Sequence, residues 1–152
     1  VTFESSYFEQ KGESVEAYAS FNNTAEGSIP NWKCFVDGNV IASIGSPDNP
    51  NNNWEICNSA GTDLGRGMHN FTLEVTGVGN NTMFWLDWIA YRPPEGYIVV
   101  EGTVYFPPDT LNIAYSGSWE QWSPYNLIGA AEKGASAVVS YWGTLCLRLS
   151  EI

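Results

Sequence analysis

Basic residues are scarce in this chain: 6 Lys and Arg stand against 17 Asp and Glu in 152 residues, a formal net charge of −11. That balance repels nucleic-acid phosphates and anionic membrane surfaces, and it excludes both as partners. Histidine occurs once, as His69, which excludes copper centres and most catalytic zinc sites, because those are built on several imidazoles. No apolar run approaches the roughly 20 residues of a membrane-spanning helix, and no leader of the secretory kind opens the chain, which therefore reads as a mature form. A helical hydrophobic period is missing from every long segment. So is a G-x-S-x-G nucleophile elbow: Gly-Ser occurs only as Gly27-Ser28, Gly45-Ser46 and Gly117-Ser118, each in loop context. The chain carries no catalytic signature, and the expectation is a protein that is not an enzyme.

What is abundant is aromatic: seven Trp, eight Tyr and seven Phe, set between short apolar runs that 15 Gly and 8 Pro punctuate. Such a composition predicts a packed all-β chain, and the length predicts one domain spanning residues 1–152. Glu13 to Phe21 alternates with Val15, Ala17 and Ala19 on one face. Asn31 to Asp37 runs into Gly38, and Asp-Gly between apolar runs is a hairpin signal with Val40 to Ile44 as the return strand. Trp54 to Cys57 is a further short strand. In the next one His69, Phe71, Leu73 and Val75 face inward, while Asn70, Thr72 and Glu74 face out. The most telling stretch is Met83 to Pro93, MFWLDWIAYRP. Period two puts Met83, Trp85, Asp87, Ile89 and Tyr91 on one face and Phe84, Leu86, Trp88 and Ala90 on the other, so this strand is expected to be covered on both sides. A stiff Arg92-Pro-Pro-Glu-Gly linker follows. Beyond it, strands are predicted over Tyr97 to Phe106, Leu111 to Tyr115, Ala135 to Tyr141 and Thr144 to Ser150, and Val1 to Phe8 alternates briefly at the start.

Three acceptor sequons begin at Asn22, Asn70 and Asn80. With few Lys, they point to N-glycosylation and a secreted, extracellular setting. Of three cysteines, Cys34 and Cys57 flank the loop SPDNPNNN and are placed to close it as a disulfide, which would stabilise by about 3 kcal/mol through loop-closure entropy. Cys146 is then an unpaired thiol, either buried or engaged between molecules.

Two pairs of stretches carry a resemblance. IAYSGSW (Ile113 to Trp119) and EKGASAVVSYWGTLCL (Glu132 to Leu147) resemble the opening of a β-sandwich domain of extracellular basidiomycete proteins; Ser14 to Gly38 and His69 to Pro93 resemble its later part. The resemblance implies an antiparallel sandwich of the jelly-roll, galactose-binding-like kind. Residues 1–94 would be the later portion of the pattern, 95–108 a linker and strand, and 109–152 the opening portion. One circularly permuted copy is the preferred expectation, with domain swapping between chains as the rival. The same group includes carbohydrate-binding modules and accessory domains, and small acidic secreted glycoproteins of this size resemble the small subunits of heterodimeric fungal laccases. That resemblance implies a non-catalytic accessory subunit that binds and stabilises a larger extracellular enzyme such as a laccase. The alternative is a lectin or carbohydrate-binding module that recognises glycans through loop aromatics.

For the alternative, Trp122, Tyr125 and Trp54 are the candidates for stacking on sugar, with Glu120, Gln121 and Asn126 as neighbouring polar groups. Tyr97 is a lesser candidate, and Trp119, inside a motif of the resemblance, is expected in the core. Asp87, between Leu86 and Trp88, is expected to be a satisfied structural carboxylate, with calcium binding as its functional alternative. His69 is expected to pack at the start of its strand. No other metal or cofactor is expected.

Overall fold

The computed structural model describes residues 14–21, 30–44, 52–62, 64, 68–78, 82–92, 104–109, 112–122 and 127–142. Among these residues there is no helix. The strands are β1 (Ser14–Phe21), β2 (Asn31–Val36), β3 (Asn39–Val40), β4 (Ala42–Ser43), β5 (Trp54–Asn58) and β6 (Met68–Gly77). They continue with β7 (Phe84–Arg92), β8 (Val104–Phe106), β9 (Ile113–Ser116), β10 (Trp119–Trp122), β11 (Leu127–Ala130) and β12 (Ser136–Trp142). Two antiparallel sheets face each other, as the all-β sandwich expectation required. The first runs β10-β11-β7-β1-β5-β4 and the second β3-β2-β6-β12-β9. In the first, β7 divides one of its edges between two partners: β11 pairs with Phe84 to Leu86, and β8 with Ile89 to Tyr91. Strands from before and after the double proline thus pair with each other in both sheets, since β12 also lies against β6.

Three of the predicted strands form for the expected reason. In β6, His69, Phe71, Leu73 and Val75 are buried and the residues between them are not. In β1, Val15, Ala17, Ala19 and Phe21 all point into the core. The β2–β3 hairpin turns at Asp37-Gly38 with φ values of 50° and 78°. Both central residues of a two-residue primed turn need that left-handed backbone, which Gly adopts freely and Asp tolerates.

The return strand is shorter than expected and is split. β3 stays on β2, but after Ile41 the chain crosses to the other sheet, where β4 pairs with β5. Ile41 is buried at the crossing and its N–H donates to the Cys34 carbonyl. A two-sided covering of β7 is not what forms either. Trp88 pairs with Tyr18 and Leu86 with Ala19, which leaves Asp87 as the extra residue of a β-bulge. A bulge reverses side-chain parity. Phe84 and Leu86 therefore face the core before it, and Ile89 and Tyr91 after it, a set drawn from both faces of the regular alternation. Trp85, Asp87 and Trp88 are left partly exposed on the outside. Trp122, expected in a loop, stands on the strand β10, because Trp119 to Trp122 finds a full antiparallel partner in Leu127 to Ala130. Val1 to Phe8, Thr144 to Ser150 and most of Tyr97 to Phe106 lie outside the described residues.

Cys34 and Cys57 form a disulfide with a Cα–Cα separation of 6.2 Å. It does more than close a loop: Cys34 is on β2 and Cys57 on β5, so the bond ties one sheet to the other through the core, where both residues are fully buried. Beside it, the Trp32 indole N–H donates to the Ile56 carbonyl at 3.0 Å, a second tie between the same two strands. Phe21 stacks on Trp32 at 5.1 Å, and Phe84 packs against both rings. At the other end of the core Tyr91 meets Tyr141, and Tyr141 meets His69.

His69 packs at its strand start, as expected, and it also binds. Its Nδ1 lies 2.7 Å from Asp37 Oδ2, and the Asn70 N–H donates to Asp37 Oδ1 at 2.9 Å. These bonds, the backbone one first and His69 second, hold the Asp37 carboxyl below the ordinary aspartate range.

Replacing both cysteines by Ala is expected to cost about 3 kcal/mol by loop-closure entropy, or roughly 10 °C in melting midpoint for a chain of this size, as read by calorimetry. Because Asp37 titrates low in the folded state, its contribution is complete above the ordinary aspartate pKa and disappears as pH falls through the depressed one. The melting midpoint of the wild type is therefore expected to fall more steeply than that of Asp37→Asn below about pH 4, and parallel acid limbs would refute the assignment.

Candidate functional site

The outer face of the first sheet carries an open cleft of about 460 Å³, lined by Ser20, Asn52, Asn53, Trp85, Asp87 and Leu127 among others. Its floor follows from the β7 register. Ser20 on β1 faces Trp85 on β7, and Trp85 faces Gly129 on β11. The Trp85 ring lies over Gly129 so closely that a Cβ there would come within 2.5 Å of ring atom Cε3. Only glycine lets the indole lie down on the sheet. Trp122, half-exposed on β10, meets Trp85 edge to face, with centroids 5.5 Å apart and planes at 76°. The Trp85 indole lines the cleft, and Trp122 flanks that indole from β10 without lining the cleft itself.

The polar side of the cleft is organised by Asp87. Its Oδ2 accepts from the Ser20 hydroxyl at 2.7 Å and from the Asn53 backbone N–H at 3.1 Å. The same N–H reaches Ser20 Oγ at 3.1 Å. Asn53 has φ of 59°, a left-handed conformation that Asn accepts more readily than most residues, and this turn brings its N–H onto the carboxylate just before β5 begins. Partial burial pushes the Asp87 carboxyl above the ordinary aspartate range, and the bonds from Ser20 and Asn53 offset part of that rise. Both bonds converge on Oδ2. The arrangement offers an aromatic platform beside a carboxylate, a hydroxyl and two amide side chains. It can stack on an apolar ring face and accept hydrogen bonds from the hydroxyls at its rim.

Of the candidates read from the sequence, Asp87 lines this cleft and Trp122 adjoins it through its contact with Trp85. Trp122 stands on a strand, however, and Trp54 is the first residue of β5, half-buried and packed against the core, so neither is a loop aromatic. Glu120 lies opposite Gly129, on the same face of β10 as Trp122, whereas Gln121 lies opposite Ile128. Trp119 packs on the core edge-on to Phe84, as expected. Asp87 is satisfied by Ser20 and Asn53, and no group of three His, Cys, Asp or Glu side chains able to hold a metal ion occurs among the described residues. Asn70 is exposed on β6. Asn22, Asn80, Tyr97, Tyr125, Asn126 and Cys146 lie outside the described residues. The site residues that the sequence reading did not single out are Ser20, Asn52, Asn53, Trp85 and Leu127. One signal was there: an aromatic and a carboxylate, Trp85 and Asp87, two positions apart on one strand face.

The chain matches no family model, and searches of the curated proteins and of the solved structures return no match. The site is therefore read from its own geometry.

The raised Asp87 carboxyl has a definite sign. In the range between its ordinary and its folded pKa the native state holds more proton than the unfolded chain, so Asp87 lowers stability as pH rises through that range. Asp87→Asn is expected to melt higher than the wild type at neutral pH, with the gap narrowing on acidification. A variant that melts lower at every pH would show that the charged form is what the site requires.

Proposed function

We propose that this chain is a non-catalytic carbohydrate-binding module of a secreted protein, with the cleft over β1, β7 and β11 as its glycan site. The observation that carries this reading is the Trp85 indole, laid flat over Gly129 in the same cleft as the Asp87, Ser20 and Asn53 cluster and extended on its other side by Trp122 edge-on to it. Sugar rings present an apolar C–H face and a rim of hydroxyls, which need just these two kinds of surface side by side. A net charge of −11 and a carboxylate in the cleft favour a neutral glycan over a sulfated or uronic one. The buried Cys34–Cys57 disulfide agrees with folding in an oxidising compartment. The cleft, with an indole set beside a carboxylate, favours this reading over the accessory-subunit role implied by the resemblance.

The test is a glycan array followed by calorimetric titration of the strongest neutral ligand. Trp122→Ala is expected to weaken binding about tenfold, some 1.4 kcal/mol, while leaving the melting midpoint within a degree or two, because Trp122 stands half-exposed on a sheet edge. Silence across a broad panel of neutral glycans would sink the proposal, and so would a ligand whose affinity ignores Trp122.

A further inference from the structure

The outer face of the second sheet holds a different feature. Cross-strand register places Val40, Phe35, Thr72, Val138 and Ala114 opposite one another in sequence across all five strands, β3 to β9. The result is a single apolar row with Thr72 at its centre. On one side it is bounded by a polar row that includes Lys33, Glu74, Ser136 and Ser116, and on the other by Asp37, Asn70 and Ser140. Val40 is 69% exposed, and Met68, two positions before Asn70 on the same face of β6, is 52% exposed. These are two of the three large apolar side chains most open to solvent among the described residues. An apolar stripe set across a flat sheet is a site of association unless something covers it.

Asn70 stands in the middle of this surface. It is exposed, it opens the Asn70-Phe71-Thr72 acceptor sequence, and it lies between Met68 and Thr72 on one strand face. Successive same-face positions on a strand are about 7 Å apart, so a group attached at Asn70 adjoins both the row and Met68. The Ser140 hydroxyl donates to Asn70 Oδ1 at 2.7 Å. That bond fixes the amide by its oxygen and leaves Nδ2, the atom that carries an N-linked sugar, for attachment. We infer that an N-linked glycan on Asn70 is the cover of this apolar row, its first N-acetylglucosamine residues lying along Thr72, Phe35 and Val138 and keeping the chain monomeric. The bond formed joins Asn70 Nδ2 to the anomeric carbon of a lipid-linked oligosaccharide donor; the lipid diphosphate leaves, and the amide proton is released to base. This surface is on the opposite side of the sandwich from the cleft, and the inference does not depend on what the cleft binds.

The experiment uses the full chain with Asn22→Gln and Asn80→Gln, so that Asn70 is the one remaining acceptor. It is made both in a secretory eukaryotic host that N-glycosylates and in a bacterial periplasm that does not. Peptide mass spectrometry is expected to find Asn70 occupied in the first preparation. The glycan-free preparation, folded and disulfide-bonded, is expected to bind several-fold more of an apolar surface dye and to dimerise with concentration in light scattering. Val40→Lys should reverse that dimerisation. Ser140→Ala, which removes the hydrogen bond and keeps the acceptor sequence, controls for the bond alone and should leave the glycosylated form monomeric. An unoccupied Asn70 in the secreted protein would overturn the inference. So would two preparations that bind dye and sediment alike, or a co-secreted protein seated on the row in place of the sugar.

Discussion

Both the core and the cleft depend on the bulge at Asp87. β7 is the strand on which the first sheet is assembled, with β1 along one edge and β11 and β8 sharing the other. Had its alternation run unbroken, either Phe84 and Leu86 or Ile89 and Tyr91 would have faced water. One extra residue lets all four point inward. The same residue is left on the outer face, where its carboxylate gathers Ser20 and the Asn53 N–H. Burying four large side chains and building a polar corner are thus consequences of one irregularity. A second bulge, at Ile56 on β5, flanks β1 from its other edge and brings Ile56 and Cys57, neighbours in sequence, into the core together.

That second irregularity is what joins the sheets. Ile56 offers its carbonyl to Trp32, and Cys57 its sulfur to Cys34, so β5 is tied to β2 at two consecutive positions. A sandwich whose layers are tied at the centre can leave its two outer faces to diverge. One has a depression in which an indole lies on a glycine. The other carries one apolar row between polar ones.

Much of the architecture was legible along the chain, and the reasons are local. The primed turn at Asp37-Gly38 and the alternation of β1 and β6 each rest on residues that express their preference wherever they stand. The site was legible in part. Trp122 and Asp87 stood out as an aromatic near polar groups and a carboxylate among apolar neighbours, but Trp122 belongs to a strand rather than a loop. Trp85 was hidden because a tryptophan inside an apolar strand has the same pattern whether it packs inward or lies outside over a glycine 44 residues away. Ser20 and Asn53 were hidden because a serine on a strand and an asparagine in a loop are ordinary there, and what brings them into the cleft is meeting the same carboxylate oxygen.

The amino-acid sequence by itself determined the all-β class, the acidic surface, the disulfide partners and the inward face of most strands, because charge, periodicity and turn chemistry are properties of a few neighbouring residues. Only the tertiary structure decided where the alternation breaks, which strands meet across the double proline and which side chains share a face. Bulges and cross-strand registers are set by how two sheets fill the space between them. Asp87 becomes the centre of a cleft, and Asn70 the neighbour of an apolar row, only when strands distant in sequence lie side by side.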